Sequence, residues 1–324
     1  MTVSFPDLDM LIEEVEVRGV DRLSPSFARF ELGSPAFAEL GIDGPWLDLR
    51  IKLVFPHEAG PVPSFAGADE SWYGTWLARP VEERGHMRTY TVRDVVGSGE
   101  DTRMVVDIVL HDDHDDHDDH DEHDGQAGPG STWASRAVVG DRLVALTPRR
   151  GWEYGGIEFS PGDAARLLLV GDETAVPAIA GILRDLKPEA VGTALLEVPL
   201  SADVQELVAP AGVDVVWLPR DGRPLGSLVH AAALERLGAA PVVVEVSDDE
   251  VDPDLWETPV YSSSGEVIEG AGEVGPAHTD LYVWIAGESK VVTGLRRVLV
   301  KELGLDRRQV AFMGYWRLGV SMAS

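Results

Sequence analysis

The first 150 residues alternate apolar and polar positions in short runs. Glu14–Val20 reads EVEVRGV, Phe27–Leu32 reads FARFEL and Leu47–Phe55 reads LDLRIKLVF. Arg88–Val95, Arg103–Leu110 and Asp141–Leu146 continue the pattern, with Gly, Pro and Asp between the runs. A period of two in β-branched and aromatic residues is the mark of half-buried strands. Six such runs at this spacing predict a six-stranded antiparallel barrel. From about Ala164 the rhythm changes. Ala165–Val170 is a continuous apolar run followed by a helical stretch, Ala175–Leu186. Strands are then predicted at Gly192–Val198, Val213–Leu218, Pro241–Val246, Leu281–Ala286 and Gln309–Gly314. Helices are predicted at Leu225–Leu237 and Glu288–Leu303. Buried strands alternating with helices make a parallel sheet covered on both faces.

The predicted fold class is therefore a β-barrel followed by an α/β domain, residues 1–160 and 161–324. The boundary is expected in the glycine-rich segment Gly151–Gly162. Two segments interrupt the plan. Ser247–Asp280 is long and polar, with a small hairpin expected around Ser262–Glu266. His111–Asp124 repeats histidine every third residue with carboxylates between.

Composition narrows the function. At 324 residues and 44 % hydrophobic, each domain can bury a core. No apolar run is long enough to span a bilayer, and Met1–Met10 lacks the basic start and apolar middle of a signal peptide, so a cytoplasmic location is expected. The absence of cysteine excludes disulfides, thiolate zinc and cysteine-ligated iron–sulfur clusters. A chain of this kind that handles electrons needs an organic cofactor. A net charge of −29 repels phosphate backbones and argues against nucleic-acid binding.

The acidic histidine tract contains nine carboxylates, nearly a third of the net charge. Its charge density predicts a solvated loop. Opportunistic binding of divalent metals by His114, His117, His120 and His123 is the alternative. His111 ends a predicted strand and is expected inside the fold.

Five motifs bear on chemistry. In Arg88-Thr89-Tyr90-Thr91, residues 88 and 90 share one strand face and 89 and 91 the other. Arginine suits a pyrophosphate, tyrosine can stack on a flat ring and threonine can bond a ring nitrogen. Gly128–Ala134 (GPGSTWA) places glycines and a serine ahead of a helical turn, a phosphate-binding arrangement or simply a capped turn. Gly171–Ile179 (GDETAVPAI) follows the first strand of the α/β domain, where a nucleotide-binding loop belongs, although it is no GxGxxG fingerprint. Ala286–Ser289 (AGES) and Gly314–Arg317 (GYWR) follow two later strands.

In this order, together with Lys52-Leu53-Val54-Phe55-Pro56, the motifs closely resemble the siderophore-interacting ferric reductases, which have the ferredoxin-reductase-like architecture. The resemblance covers roughly residues 12 to 320 and implies FAD as cofactor and NADPH or NADH as donor. By the resemblance, Arg88, Thr89, Tyr90 and Thr91 hold FAD. Gly128, Gly130 and Ser131 cradle its pyrophosphate beside Trp133 and Ala134, His111 lies beside the flavin, and Thr174 faces the flavin–nicotinamide interface. Thr91 and Thr174 are the expected catalytic residues. Gly130 stands where the family more often has alanine, a change expected to be tolerated.

A flavin joins two-electron hydride chemistry to one-electron iron chemistry. The implied reaction passes electrons from NAD(P)H to a ferric siderophore and releases Fe(II). Lys52, Arg150 and Arg317 are the candidate cations for an anionic chelate. Arg220 and Arg223, after the strand at Val213–Leu218, are candidates for a 2′-phosphate and slightly favour NADPH. Ferredoxin is an alternative donor. The other readings are a general flavin or ferric-chelate reductase, and a siderophore- or metal-binding protein using the His/Asp tract.

Overall fold

The structure is a computed structural model. It describes residues 8–57, 60–111, 128–240, 246, 256–258, 261–262 and 278–320. The chain divides into two compact units, Met1–Ile157 and Glu158–Ala323.

The first unit is built on β1 (Met10–Ser24), β2 (Phe27–Gly33), β3 (Arg50–Phe55), β4 (His86–Thr91), β5 (Asp94–Val96), β6 (Arg103–Val109) and β7 (Arg142–Pro148). They form one antiparallel sheet in the order β4-β3-β7-β1-β2-β6-β5. This is seven strands where the pattern predicts six. The run Arg88–Val95 is two strands: β4 pairs with β3, whereas β5 pairs with β6 at the far end of the sheet. Val92 N–H donates to the Leu49 carbonyl (2.9 Å) and Arg93 N–H to the Val105 carbonyl (2.8 Å). The adjacent residues Val92 and Arg93 thus bond toward opposite ends of the sheet, which curls toward closure. Alternation alone cannot reveal the break, because the chain stays extended through it.

Inward-facing Val15, Phe30, Leu32, Ile51, Leu53, Phe55, Met104, Val106 and Leu143 form one core cluster. A short helix, α1 (Trp72–Leu77), lies in the connection from β3 to β4, followed by α2 (Val81–Arg84). Trp76 of α1 and Phe65 pack against Ile12, Val54, Val144 and Leu146, which covers the other face of the sheet. A third short helix, α3 (Pro129–Ala134), precedes β7.

Among its described residues the second unit has five parallel strands: β8 (Arg166–Gly171), β9 (Val191–Val198), β10 (Gly212–Pro219), β13 (Leu281–Glu288) and β14 (Val310–Trp316). Two short antiparallel strands, β11 (Trp256–Thr258) and β12 (Tyr261–Ser262), extend the sheet beside β14, giving the order β10-β9-β8-β13-β14-β11-β12. Of the hairpin expected at Ser262–Glu266, only Ser262 is described, in β12; residues 263–266 lie outside the described residues. So does nearly all of the predicted strand at Pro241–Val246; Val246 itself is described and is not in a strand.

Helix α4 (Val176–Asp185) is buried from Val176 to Leu183. Helices α5 (Ser227–Arg236) and α6 (Ser289–Arg297) pack Val229, Ala233, Leu234, Val292 and Leu295 against Leu168, Val170, Leu195, Val283 and Ile285. No helix among the described residues is long and apolar enough to cross a membrane.

Candidate cofactor and nucleotide sites

In the first unit the register of β3 on β4 sorts the candidate residues onto two faces. Leu53 lies opposite Arg88, and Ile51 opposite Tyr90. Both pairs share the face of Phe55, whose ring meets Tyr90 edge-on at 5.7 Å and Trp133 at 5.2 Å. Trp133 also packs on Phe30 at 5.3 Å. Trp133 and Ala134 are buried in the core. Their side chains anchor α3, and what α3 offers outward is its first turn.

Gly128 is the N-cap of that turn in an extended conformation, with Pro129 at the first helical position and no side-chain cap. The N–H groups of Gly130 and Ser131 precede any intrahelical acceptor. Ser131 Oγ accepts a hydrogen bond from the His111 backbone N–H (2.9 Å), which ties α3 to the end of β6. His111 itself is exposed, a correction to its expected place inside the fold. Its strand ends two residues earlier.

Gly130 and Tyr90 meet closely. A Cβ on residue 130 would lie 2.0 Å from the Tyr90 Oη and 3.3 Å from the Phe55 ring. Alanine there would be accommodated only if the tyrosine ring swung aside. Burial raises the Tyr90 pKa, keeping it a neutral phenol, and burial lowers that of Arg88. A half-buried arginine, a phenol and the open first turn of α3 are thus gathered on one face. These groups fit a flat ring system carrying a pyrophosphate: forked donors, a ring to stack on and a backbone cradle lacking a Cβ.

Thr89 and Thr91 lie on the opposite face, across from Lys52 and Arg50. Lys52 Nζ donates to Thr89 Oγ1 at 2.6 Å. Desolvation, then Arg50 and Arg88, lowers the Lys52 pKa although its side chain reaches solvent. Sequence reasoning missed Arg50 and the stacked imidazoles of His57 and His86, 5.7 Å apart. The alternation His86-Arg88-Tyr90 was the available signal. Arg150 is exposed and donates to the Leu40 carbonyl (3.2 Å), lying over Gly41. Arg93, two residues beyond the motif, lies 3.7 Å from Asp107, a buried carboxylate also held by Arg29 at 2.7 and 2.8 Å.

In the second unit three motifs converge on one carboxylate. Asp172 is buried and accepts four hydrogen bonds. Oδ1 takes Thr174 N–H (2.9 Å) and the Thr174 hydroxyl (2.6 Å). Oδ2 takes Glu288 N–H (2.7 Å) and Trp316 Nε1–H (2.8 Å). The loop after β8 is therefore tied to the last residues of β13 and β14, at the carboxyl ends of adjacent strands, where open α/β sheets bind ligands. Gly287, at φ +145°, is required at this knot: a Cβ would lie 2.5 Å from Asp172 Oδ2. Burial and Glu173 push the Asp172 pKa up to about 7, against the pull of its donors. Glu288 in turn accepts from Lys290 N–H and Val291 N–H at the start of α6.

Arg220 is committed. Its guanidinium donates to both oxygens of buried Glu173 (2.8 and 3.1 Å) and lies 3.5 Å from fully buried Glu197. Glu197 also accepts from the N–H groups of Gly226, Leu228 and Val229 at the start of α5. The expectation that Arg220 is available to a 2′-phosphate is thereby overturned, because releasing it would strand buried carboxylates. Arg223 is exposed, with Nη1 donating to the Arg220 carbonyl (3.1 Å). Arg317 is half-buried just beyond β14.

His114, His117, His120 and His123 lie outside the described residues. Among the described residues no group of three or more His, Asp or Glu is placed to hold a metal ion.

Comparison with known proteins agrees with these features. Residues 16–152 match the siderophore-interacting FAD-binding domain model, and residues 164–319 match the siderophore-interacting protein model. An uncharacterized protein of Mycobacterium tuberculosis is 30 % identical over 94 % of this chain and 89 % of its own. The NADPH-dependent ferric-chelate reductase of Escherichia coli is 27 % identical over 95 % of this chain and 94 % of its own. Among solved structures, a siderophore utilization protein from T. fusca superposes with a TM-score of 0.62 at 28 % identity, covering 100 % of this chain and 98 % of that one. The fold is ferredoxin-reductase-like. On its motifs, its fold and these matches, the chain belongs to the siderophore-interacting protein family.

Proposed function

We propose that this protein is an FAD-dependent reductase that takes electrons from a nicotinamide nucleotide and delivers them to iron(III) held in a siderophore. The observation that carries the reading is the meeting of Arg88, Tyr90 and the glycine-opened first turn of α3 on one face of a domain that matches an FAD-binding model. Arg88 and the N–H groups of Gly130 and Ser131 would hold the pyrophosphate, and Tyr90 would lie against the ring system or its ribityl chain. Thr91, buried on the opposite strand face, is not gathered with them, and Thr174 is assigned to the nicotinamide. Bound FAD would supply the exchange between a hydride and single electrons.

The chain's own residues then bind and orient. Lys52, Arg150 and Arg317 are assigned to the anionic chelate. Lys52 has the firmest footing of the three, because Arg50 and Arg88 reinforce its positive field. Reduction weakens hard-oxygen coordination of iron, so the protein need not chelate the metal itself. The commitment of Arg220 leaves Arg223 as the cation for a 2′-phosphate. Arg223→Ala would then raise the KM for NADPH several-fold and leave that for NADH unchanged, and equal effects on both would remove Arg223 from this role.

An anaerobic visible spectrum of the purified protein tests the reading, with NADPH or NADH added and then a ferric siderophore. A flavin band that bleaches with the nucleotide and returns with the chelate, while a ferrous-specific dye traps Fe(II), is the expected result. Flavin that neither nucleotide bleaches would point to ferredoxin as donor. Protein that neither contains nor takes up FAD would overturn the proposal.

A further inference from the structure

The knot at Asp172 fixes more than loop geometry. Three of its four partners are N–H groups, which can only donate, so the carboxylate serves as acceptor. The fourth is the Thr174 hydroxyl, held to Oδ1 at 2.6 Å. Above its pKa of about 7 Asp172 is ionised and has no proton to give, so there the threonine must spend its only proton on Asp172. Its oxygen keeps lone pairs and nothing else to offer a ligand. Thr174 is also the only residue from Gly171 to Ala175 that is not fully buried. The loop therefore shows an incoming molecule a hydroxyl oxygen of fixed polarity.

We infer that Asp172 is a positioning residue that locks Thr174 Oγ as a hydrogen-bond acceptor, and that this oxygen selects a pyridine nucleotide bearing an N–H donor on its ring substituent, the carboxamide. The inference rests on the reading of the second unit as the nucleotide site and adds the atom that recognises the nicotinamide. A free threonine rotor could bond either end of a carboxamide, its C=O or its NH2. A locked one accepts only from the NH2.

The test is the affinity of oxidised pyridine dinucleotides for the full-length protein at about pH 8.5, where Asp172 is ionised, followed by calorimetry without turnover. The nicotinamide form carries the N–H donor. The 3-acetylpyridine form is equally neutral, keeps the carbonyl and lacks the donor. Wild type should bind the acetylpyridine form about five- to tenfold more weakly, the loss expected for one hydrogen bond with its partner left unpaired. Thr174→Val should bring the two affinities within twofold, and Thr174→Ser should restore the difference. Asp172→Asn, which frees the rotor, should narrow it while Thr174 is still present. Should Asp172→Asn fail to fold, the two threonine variants and the wild type decide the matter. Equal affinity of wild type for both nucleotides, or an undiminished preference in Thr174→Val, would overturn the inference and leave the nucleotide site standing. Folded wild-type protein that binds neither nucleotide would overturn the nucleotide-site reading itself, and the inference with it.

Discussion

At the residue scale, two positions make sharp predictions. Gly130 is small because the Tyr90 hydroxyl occupies the place of a Cβ, 2.0 Å away. Gly130→Ala should destabilise the first unit by about 1–2 kcal/mol through overpacking. Tyr90→Phe in the same chain should recover part of that, since the clashing oxygen is gone. Urea unfolding of the two single variants and the double variant measures the coupling, and additive effects would show that the two residues do not compete for one space. Glu13 is the second position. It is buried beside Arg149 and Glu39, and burial pushes its pKa up to about 7. A carboxylate whose folded pKa is raised costs no stability below its unfolded value of about 4.3 and costs the full amount above its folded value. Stability is thus lost as pH climbs through that window. Glu13→Gln removes the ionisation and should stabilise the protein at pH 8, by on the order of 2 kcal/mol. The gain should fade to nothing by about pH 4. A gain of equal size at both pH values would mean that packing, and not charge, is responsible.

At the element scale, α3 is too short to hold its own shape, and its place is set by its side-chain contacts. Trp133 meets Phe30 and Phe55 in the core, while Ser131 clips the turn to the end of β6. Trp133→Ala should cost about 3–5 kcal/mol and weaken FAD binding together with stability. Ser131→Ala should cost about 1 kcal/mol. Fluorescence titration with FAD alongside urea melts would separate the two effects. Unchanged FAD affinity in a destabilised Trp133 variant would detach α3 from the cofactor site. The GPGSTWA motif was legible in sequence as a turn with phosphate-binding potential. Its division of labour was not, because which residues face the core depends on Phe30 and Phe55, far away in the chain. The split of Arg88–Val95 into two strands was hidden for the same reason: partner choice, and not local conformation, changes at Val92–Arg93.

At the scale of the whole molecule, the net charge of −29 opposes an anionic chelate, so local cations have to overcome the protein's own field. Removing His114–Asp124 deletes seven carboxylates. If the reductase reading holds, turnover with a ferric siderophore should stay within about twofold at moderate salt, where surface fields are screened beyond about 10 Å. Abolished function after this deletion would favour a metal-binding protein built on the tract.

The sequence by itself determined the succession of a β-sheet unit and a parallel α/β unit, the order of the five motifs and the face alternation of Arg88, Thr89, Tyr90 and Thr91. Each of these is written in local periodicity, turn residues and chain order, which need no partner to be read. Tertiary structure alone decided the seventh strand, the exposure of His111, the commitment of Arg220 to Glu173 and Glu197, and the gathering of Thr174, Glu288 and Trp316 around Asp172. The Asp172–Trp316 bond joins residues 144 positions apart. An acidic residue in a loop looks in sequence like a solvated charge. Folding surrounds it with donors from three strand ends, and only then does it become the group that sets the polarity of its neighbour.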